Sequence, residues 1–158
     1  EALSDEQKER FDLAALIDGC VEGYQAVNPK YRIVSTRVAG PMIIEGVADR
    51  LAQMLDKLMD NAVQFGEKQG LIVVSLRRNA DGIELTVAND GPALPVEIID
   101  RLFDSMVSRA RDARKTHLGL GLYIVRLVVE FHDGTVVARN RASDRGVEVV
   151  VSLPQAHV

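Results

Sequence analysis

The most constraining stretch of the chain is residues 47–65. There Leu51, Leu55, Leu58, Ala62 and Phe65 recur at alternating steps of four and three, and Gly66 ends the run. That spacing predicts a helix with a single apolar stripe, which must be buried against another element. Two strand-like runs follow, Leu71 to Arg77 and Ile83 to Asn89, joined by the hairpin signal Asn79-Ala80-Asp81-Gly82. A one-sided helix next to a hairpin packs as two layers.

The remaining segments supply elements of the same kinds. Residues 1–10 are polar and helix-prone and read as the tail of a preceding helical segment, with the domain itself at 11–158. Phe11 to Leu13 reads as a short strand. Residues 13–26 read as a helix, with Leu13, Leu16, Ile17, Cys20 and Tyr24 at helical spacing, and Asn28-Pro29 as a turn. Tyr31 to Thr36 and Pro41 to Glu45 read as strands. Pro95 suits the first turn of a short helix over 95–102. A second long helix runs from Gly119 to Phe131 and stops at His132-Asp133-Gly134. Thr135 to Arg139 and Val147 to Leu153 are closing strands, with Gly146 in the turn between them. Long helices and a short one beside about six strands give an α+β fold, a two-layer α/β sandwich. Hairpin connections make its sheet mixed and mostly antiparallel.

Composition narrows the function. Apolar residues at 47% and charged residues at 27% fit a packed core with a solvated surface. A net charge of −4 argues against the broad basic surface of a nucleic-acid binder. The apolar stretch Leu118 to Phe131 is cut by Arg126 and Glu130, and it falls short of the roughly 20 residues that span a bilayer. The acidic start, Glu1 to Glu6, has no signal-peptide design. A soluble, cytoplasmic segment of a larger protein is expected, with no membrane contact of its own. Cys20, the one cysteine, has no internal disulfide partner and reads as a small core residue.

Three places carry candidate chemistry. Stepping roughly 100° per residue, Lys57, Asn61 and Gln64 line one helix face, with Asn61 at the edge of the apolar stripe. Asn89-Asp90-Gly91-Pro92-Ala93-Leu94-Pro95 follows a strand directly, and a polar strand end with a Gly-Pro turn can face a ligand. His117-Leu118-Gly119-Leu120-Gly121 places Gly-x-Gly at a helix start, where backbone N–H groups can receive phosphate oxygens. Before it, residues 104–117 are polar and carry Arg109, Arg111, Arg114 and Lys115, the pattern of a lid over a polyphosphate.

In order and spacing these features resemble the N box, the first glycine box, the F box and the second glycine box of sensor histidine kinases. Those kinases belong to the ATP-binding superfamily with the Bergerat fold that also includes gyrase, Hsp90 and mismatch-repair proteins. The resemblance covers residues 11–154. It implies ATP and Mg²⁺ as cofactors, with Asn61 as the metal's protein ligand. It implies that Asn89 hydrogen-bonds the adenine amine, Gly91 is the glycine that follows in the first glycine box, Phe103 is the F-box aromatic, and Gly119 and Gly121 cradle phosphate beside Arg109, His117, Leu118 and Leu120. The departures are specific. Lys57 stands in place of a second Asn, Gln64 in place of a base, Asn89 in place of Asp, Ala93 in place of a glycine, and His117-Leu118 in place of a Gly-Thr-like pair. An Asn carbonyl still accepts from an adenine amine, without the charge-assisted bond.

Hydrolytic members of the superfamily carry a Glu four residues before the helix Asn, where this chain has Lys57. A cationic lysine cannot accept a proton from water, which favours phosphoryl transfer to a side chain over hydrolysis. The resemblance therefore implies a protein-histidine kinase catalytic domain with Lys57 and Asn61 at its reacting end. A degenerate nucleotide-binding domain and a serine kinase of the same superfamily are the alternatives. His117, His132 and His157 do not match the acceptor pattern. The acceptor is expected on upstream dimerisation and phosphotransfer helices of a homodimeric parent, with a response regulator as the downstream partner. His132 reads as structural.

Overall fold

The computed structural model describes residues 7–104, 121–141 and 145–156. In chain order its elements are β1 (Glu9–Asp12), α1 (Leu13–Val27), β2 (Arg32–Arg37), β3 (Ile43–Gly46), α2 (Ala48–Phe65), β4 (Leu71–Asn79) and β5 (Gly82–Asn89). They continue with α3 (Val96–Ile99), α4 (Gly121–Phe131), β6 (Thr135–Asn140) and β7 (Val147–Leu153). The main sheet has the order β2-β4-β5-β7-β6, with β2 parallel to β4 and every other pairing antiparallel. The fold is the α+β two-layer sandwich expected, and its sheet is mixed and mostly antiparallel.

Three elements differ from the sequence reading. The strand expected at Phe11 to Leu13 starts at Glu9 and ends at Asp12, so Glu9 and Arg10 belong to a strand and not to a helical tail. It pairs with β3 in a separate two-stranded sheet, from Glu9 opposite Gly46 to Asp12 opposite Ile43. The short helix expected over 95–102 is regular only over Val96–Ile99, with Pro95 as its N-cap. The β4–β5 hairpin is longer than expected. Asn79 pairs with Gly82, and Asn79 Oδ1 accepts from the N–H groups of Asp81 and Gly82 at 2.9 and 2.8 Å. That Asx turn lets polar residues extend both strands.

One face of the sheet is covered. Ile72, Val74 and Leu76 on β4, Ile83, Leu85 and Val87 on β5, and Val149, Val151 and Leu153 on β7 alternate inward and are buried. They meet Leu51, Leu55 and Leu58 of α2 and Val125, Val128 and Val129 of α4. Asp12 caps α1 by accepting from Ala14 N–H at 3.0 Å, and it also accepts from Met42 N–H at 2.9 Å. Cys20 is half-buried on α1, close to the core. Burial, then the Asp56 carboxylate, raises its thiol pKa. The Tyr24 phenol, which donates to Asp56, is raised by the same two influences.

The N-terminus of α2 has no side-chain cap of its own. His132 meets it instead. Its Nε2 accepts from Val47 N–H at 3.0 Å and its Nδ1 lies 2.7 Å from Val128 O, so Nδ1 carries the proton. His132 is buried and pins the end of α4 to the start of α2. His132→Leu leaves a buried N–H and a buried carbonyl without this partner. It is expected to cost about 1–3 kcal/mol in urea unfolding, and unchanged stability would show that neither bond contributes.

Candidate functional site

Asn61 lies about one turn before the C-terminal end of α2. Its residue is only 4% exposed, deeper than the edge position that helical stepping suggested. Nδ2 donates to Lys57 O at 2.8 Å. Oδ1 is buried and has no hydrogen-bond partner. A buried acceptor without a donor costs about 1–3 kcal/mol, so such an atom in a native fold marks a ligand, an ion or a water. Lys57 is half-buried and Gln64 is exposed. Three residues of an α-helix turn through about 300°, so Gln64 lies some 60° off the Asn61 direction, enough to leave the core boundary.

The strand-end loop meets the same end of α2. Asn89 closes β5 opposite Ile72 on one side and Val147 on the other, and is 3% exposed. Asp90 N–H donates to Leu71 O at 3.0 Å, and Asp90 O accepts from Glu67 N–H at 2.9 Å. Gly91 has φ +148, and a Cβ there would lie 3.0 Å from both Glu67 N and Gly66 Cα. Only glycine permits that approach. Asn89 Nδ2 makes a long bond to Asp90 O at 3.3 Å. Ala93 is exposed, and Phe103 is half-buried against the core.

Two residues on the far side of this loop carry no signal in the sequence. Asn140 bonds the main chain of Leu94 twice, and Arg141 pairs with Asp90 at 2.7 Å. The apolar alternation of β6 ends before them, and their partners lie far away along the chain. Arg145 also pairs with Glu67, tying the β6–β7 turn to the end of α2. The expected lid beyond Asp104, with Arg109, and the residues His117, Leu118, Gly119 and Leu120 lie outside the described residues. Gly121 opens α4. The structure thus brings together the α2 terminus carrying Asn61 and the Asn89–Gly91 strand end, while Gln64 and Ala93 face solvent.

Residues 46–157 match the family described as histidine kinase-, DNA gyrase B-, and HSP90-like ATPase. The chain belongs to this ATPase family. Among curated relatives of this ATPase domain, the sensor protein ChvG of Agrobacterium fabrum is 31% identical over 161 residues, 92% of this chain and 27% of that protein. The sensor histidine kinase TrcS of Mycobacterium tuberculosis is 32% identical over 143 residues, 86% of this chain and 28% of its own. The chain therefore spans just over a quarter of the length of these relatives. The fold is also that of the catalytic domain of histidine kinase ThkA, with a TM-score of 0.81 at 22% identity, covering 95% of this chain and 98% of that one. ThkA has also been solved in complex with the response regulator protein TrrA. There the TM-score is 0.78 at 21% identity, over 94% of this chain and 42% of that one. Among the described residues, no helix is long and apolar enough to cross a membrane.

Proposed function

We propose that this ATPase domain binds Mg·ATP and donates the γ-phosphate to a histidine on a dimerisation helix of its parent, in two-component signalling. The observation that carries this is the orphaned Oδ1 of Asn61, a hard oxygen buried on the helix whose end meets the strand-end loop through Gly66 and Glu67. Mg²⁺ favours such oxygens and commonly takes one or two protein ligands, completing its shell with phosphates and water. Held by Asn61, it would supply positive charge to neutralise the phosphates.

The chain's own groups have distinct tasks in this reading. Asn61 holds the metal through Oδ1, with its orientation fixed by the Nδ2 bond to Lys57 O. Lys57 offsets phosphate charge one helical turn earlier. Asn89 accepts from the adenine amine, and Gly91 lets the loop lie against the end of α2. Phe103 serves as the F-box aromatic, and Arg109 of the expected lid 104–117 offsets phosphate charge. His117, Leu118, Gly119, Leu120 and Gly121 are the residues that receive the phosphates, and Gln64 and Ala93 flank the site. Lys57, a cation at the position of the hydrolytic base, does not serve as a base for water, so positioning and charge neutralisation carry the reaction. The partners are the parent's phosphotransfer helices, within a homodimer, and a response regulator. The domain works on the cytoplasmic side.

Incubated with radiolabelled Mg·ATP, this chain alone is expected to incorporate essentially no phosphate and to turn ATP over slowly. With the parent's two-helix segment added as a separate chain, acid-labile label should appear on that segment and rise with its concentration. Acid-stable label would indicate serine transfer. ATP binding without any label on the helices would indicate a domain that only binds nucleotide. Strong self-labelling would contradict the division of labour.

A further inference from the structure

The loop after β5 is gripped from its far side by the end of β6. Asn140, the last residue of β6, bonds both main-chain groups of a single residue. Leu94 N–H donates to its Oδ1 at 2.9 Å, and its Nδ2 donates to Leu94 O at 2.9 Å. The primary amide therefore stands in for a strand neighbour and fixes the loop's path whatever side chain occupies position 94. Arg141 donates to the Asp90 carboxylate at 2.7 Å, with both side chains about one-third exposed. That bond turns the charge beside Asn89 toward β6 and balances it. Leu71 O and Glu67 N–H hold Asp90 from β4 and the end of α2. Asp90 and Leu94 are thus fixed at the two ends of the turn that contains Gly91.

We propose that Asn140 and Arg141 are positioning residues of the nucleotide site, holding Asp90–Leu94 in the conformation that receives the base. This rests on the nucleotide-binding reading above. Neither residue needs to touch the ligand. Both set the fraction of molecules whose loop is competent, and apparent affinity scales with that fraction. A fall in the competent fraction to about a tenth weakens binding about tenfold. The loss falls on the base end of the nucleotide, so discrimination between ATP and GTP falls with it.

The test is calorimetry of Mg·ATP and Mg·GTP on the chain, alongside amide hydrogen exchange. Asn140→Ala should weaken ATP about tenfold while GTP changes little. Exchange at Leu94 should quicken while Leu85, within the β5 ladder, stays protected. Asn140→Asp, which keeps an acceptor but loses the donor, should fall between. Arg141→Gln should weaken ATP, and adding Asp90→Asn should restore it by removing the stranded carboxylate. Wild-type ATP affinity in Asn140→Ala with faster Leu94 exchange would break the link from clamp to site. Unchanged Leu94 exchange would overturn the clamp itself. Parallel loss of ATP and GTP with faster exchange at Leu85 would show plain structural weakening and overturn the proposal. A wild-type chain that binds no nucleotide would overturn both this inference and the reading beneath it, whereas the other outcomes leave that reading standing.

Discussion

Asn61→Ala is expected to remove Mg²⁺-dependent ATP binding while leaving the empty domain as stable as wild type or slightly more so. Substituting residues that only support a metal ligand weakens metal affinity by about 10–100-fold, and a direct ligand should count for at least that. The effect on the empty protein has the opposite sign. Asn61 contributes one bond, from Nδ2 to Lys57 O, and leaves Oδ1 buried without a donor. The bond is worth about 0.5–1.5 kcal/mol and the stranded acceptor costs about 1–3 kcal/mol, so truncation balances or gains. Alanine also has the better helix propensity, by up to about 0.7 kcal/mol. A small cavity offsets part of the gain.

Thermal melts with and without ligand separate the two effects. At a nucleotide concentration near 100 times Kd, binding stabilises the wild type by about 2.7 kcal/mol, a rise in Tm of about 5–10 °C for a chain of this size. The variant should melt at or above the wild type when both are empty and should gain almost nothing from Mg·ATP. A variant that melts several degrees lower when empty would show that Oδ1 has a structural partner. A variant with the full ligand-induced rise would remove Asn61 from the metal site.

How much of this was legible in the sequence follows the range of each interaction. The α2 stripe and the β4–β5 hairpin are set by residues close together, and periodicity plus the Asn79–Gly82 turn located both. The pairing of Glu9 with Gly46 joins two four-residue strands across a long stretch of chain, and no local pattern marks it. The burial of Asn61, at 4% exposure, is not legible for the same reason: periodicity does not show which distant elements pack around α2. Helical stepping fixes direction on an ideal cylinder but not what packs there, which is why Gln64 was grouped with Asn61 and yet lies exposed. Asn89 and Gly91 stood out as a polar strand end with a turn glycine. Asn140 and Arg141 did not, since an Asn and an Arg after a strand are ordinary loop residues until Leu94 and Asp90 are placed beside them.

Gly146→Ala should produce the largest loss of stability, and it should disturb the nucleotide site with it. Gly146 has φ +97, and a Cβ at that position would lie 1.8 Å from Asn89 O, 2.9 Å from Asn89 C and 3.2 Å from Asp90 Cα. All three are main-chain atoms, so no side-chain rotation relieves the contact. The backbone must shift where Val147 pairs with Asn89 and where Arg141 N–H bonds Gly146 O at 3.0 Å. Left-handed backbone at a residue with a Cβ adds its own strain, and the sum is expected at about 3 kcal/mol or more. For a chain of this size that lowers Tm by about 6–12 °C. Because the atom struck is the carbonyl of Asn89, ATP affinity should fall even at temperatures where the variant is fully folded. Gly19 provides a control of opposite sign. It is exposed within α1, and a Cβ there meets nothing within 4 Å. Gly19→Ala should therefore stabilise by about 0.5–1 kcal/mol through helix propensity, with nucleotide affinity unchanged. If Gly146→Ala melts within a degree or two of wild type and binds ATP equally well, the β6–β7 turn can move off the strand end at little cost. The close packing of that turn on Asn89 would then not be what holds the site.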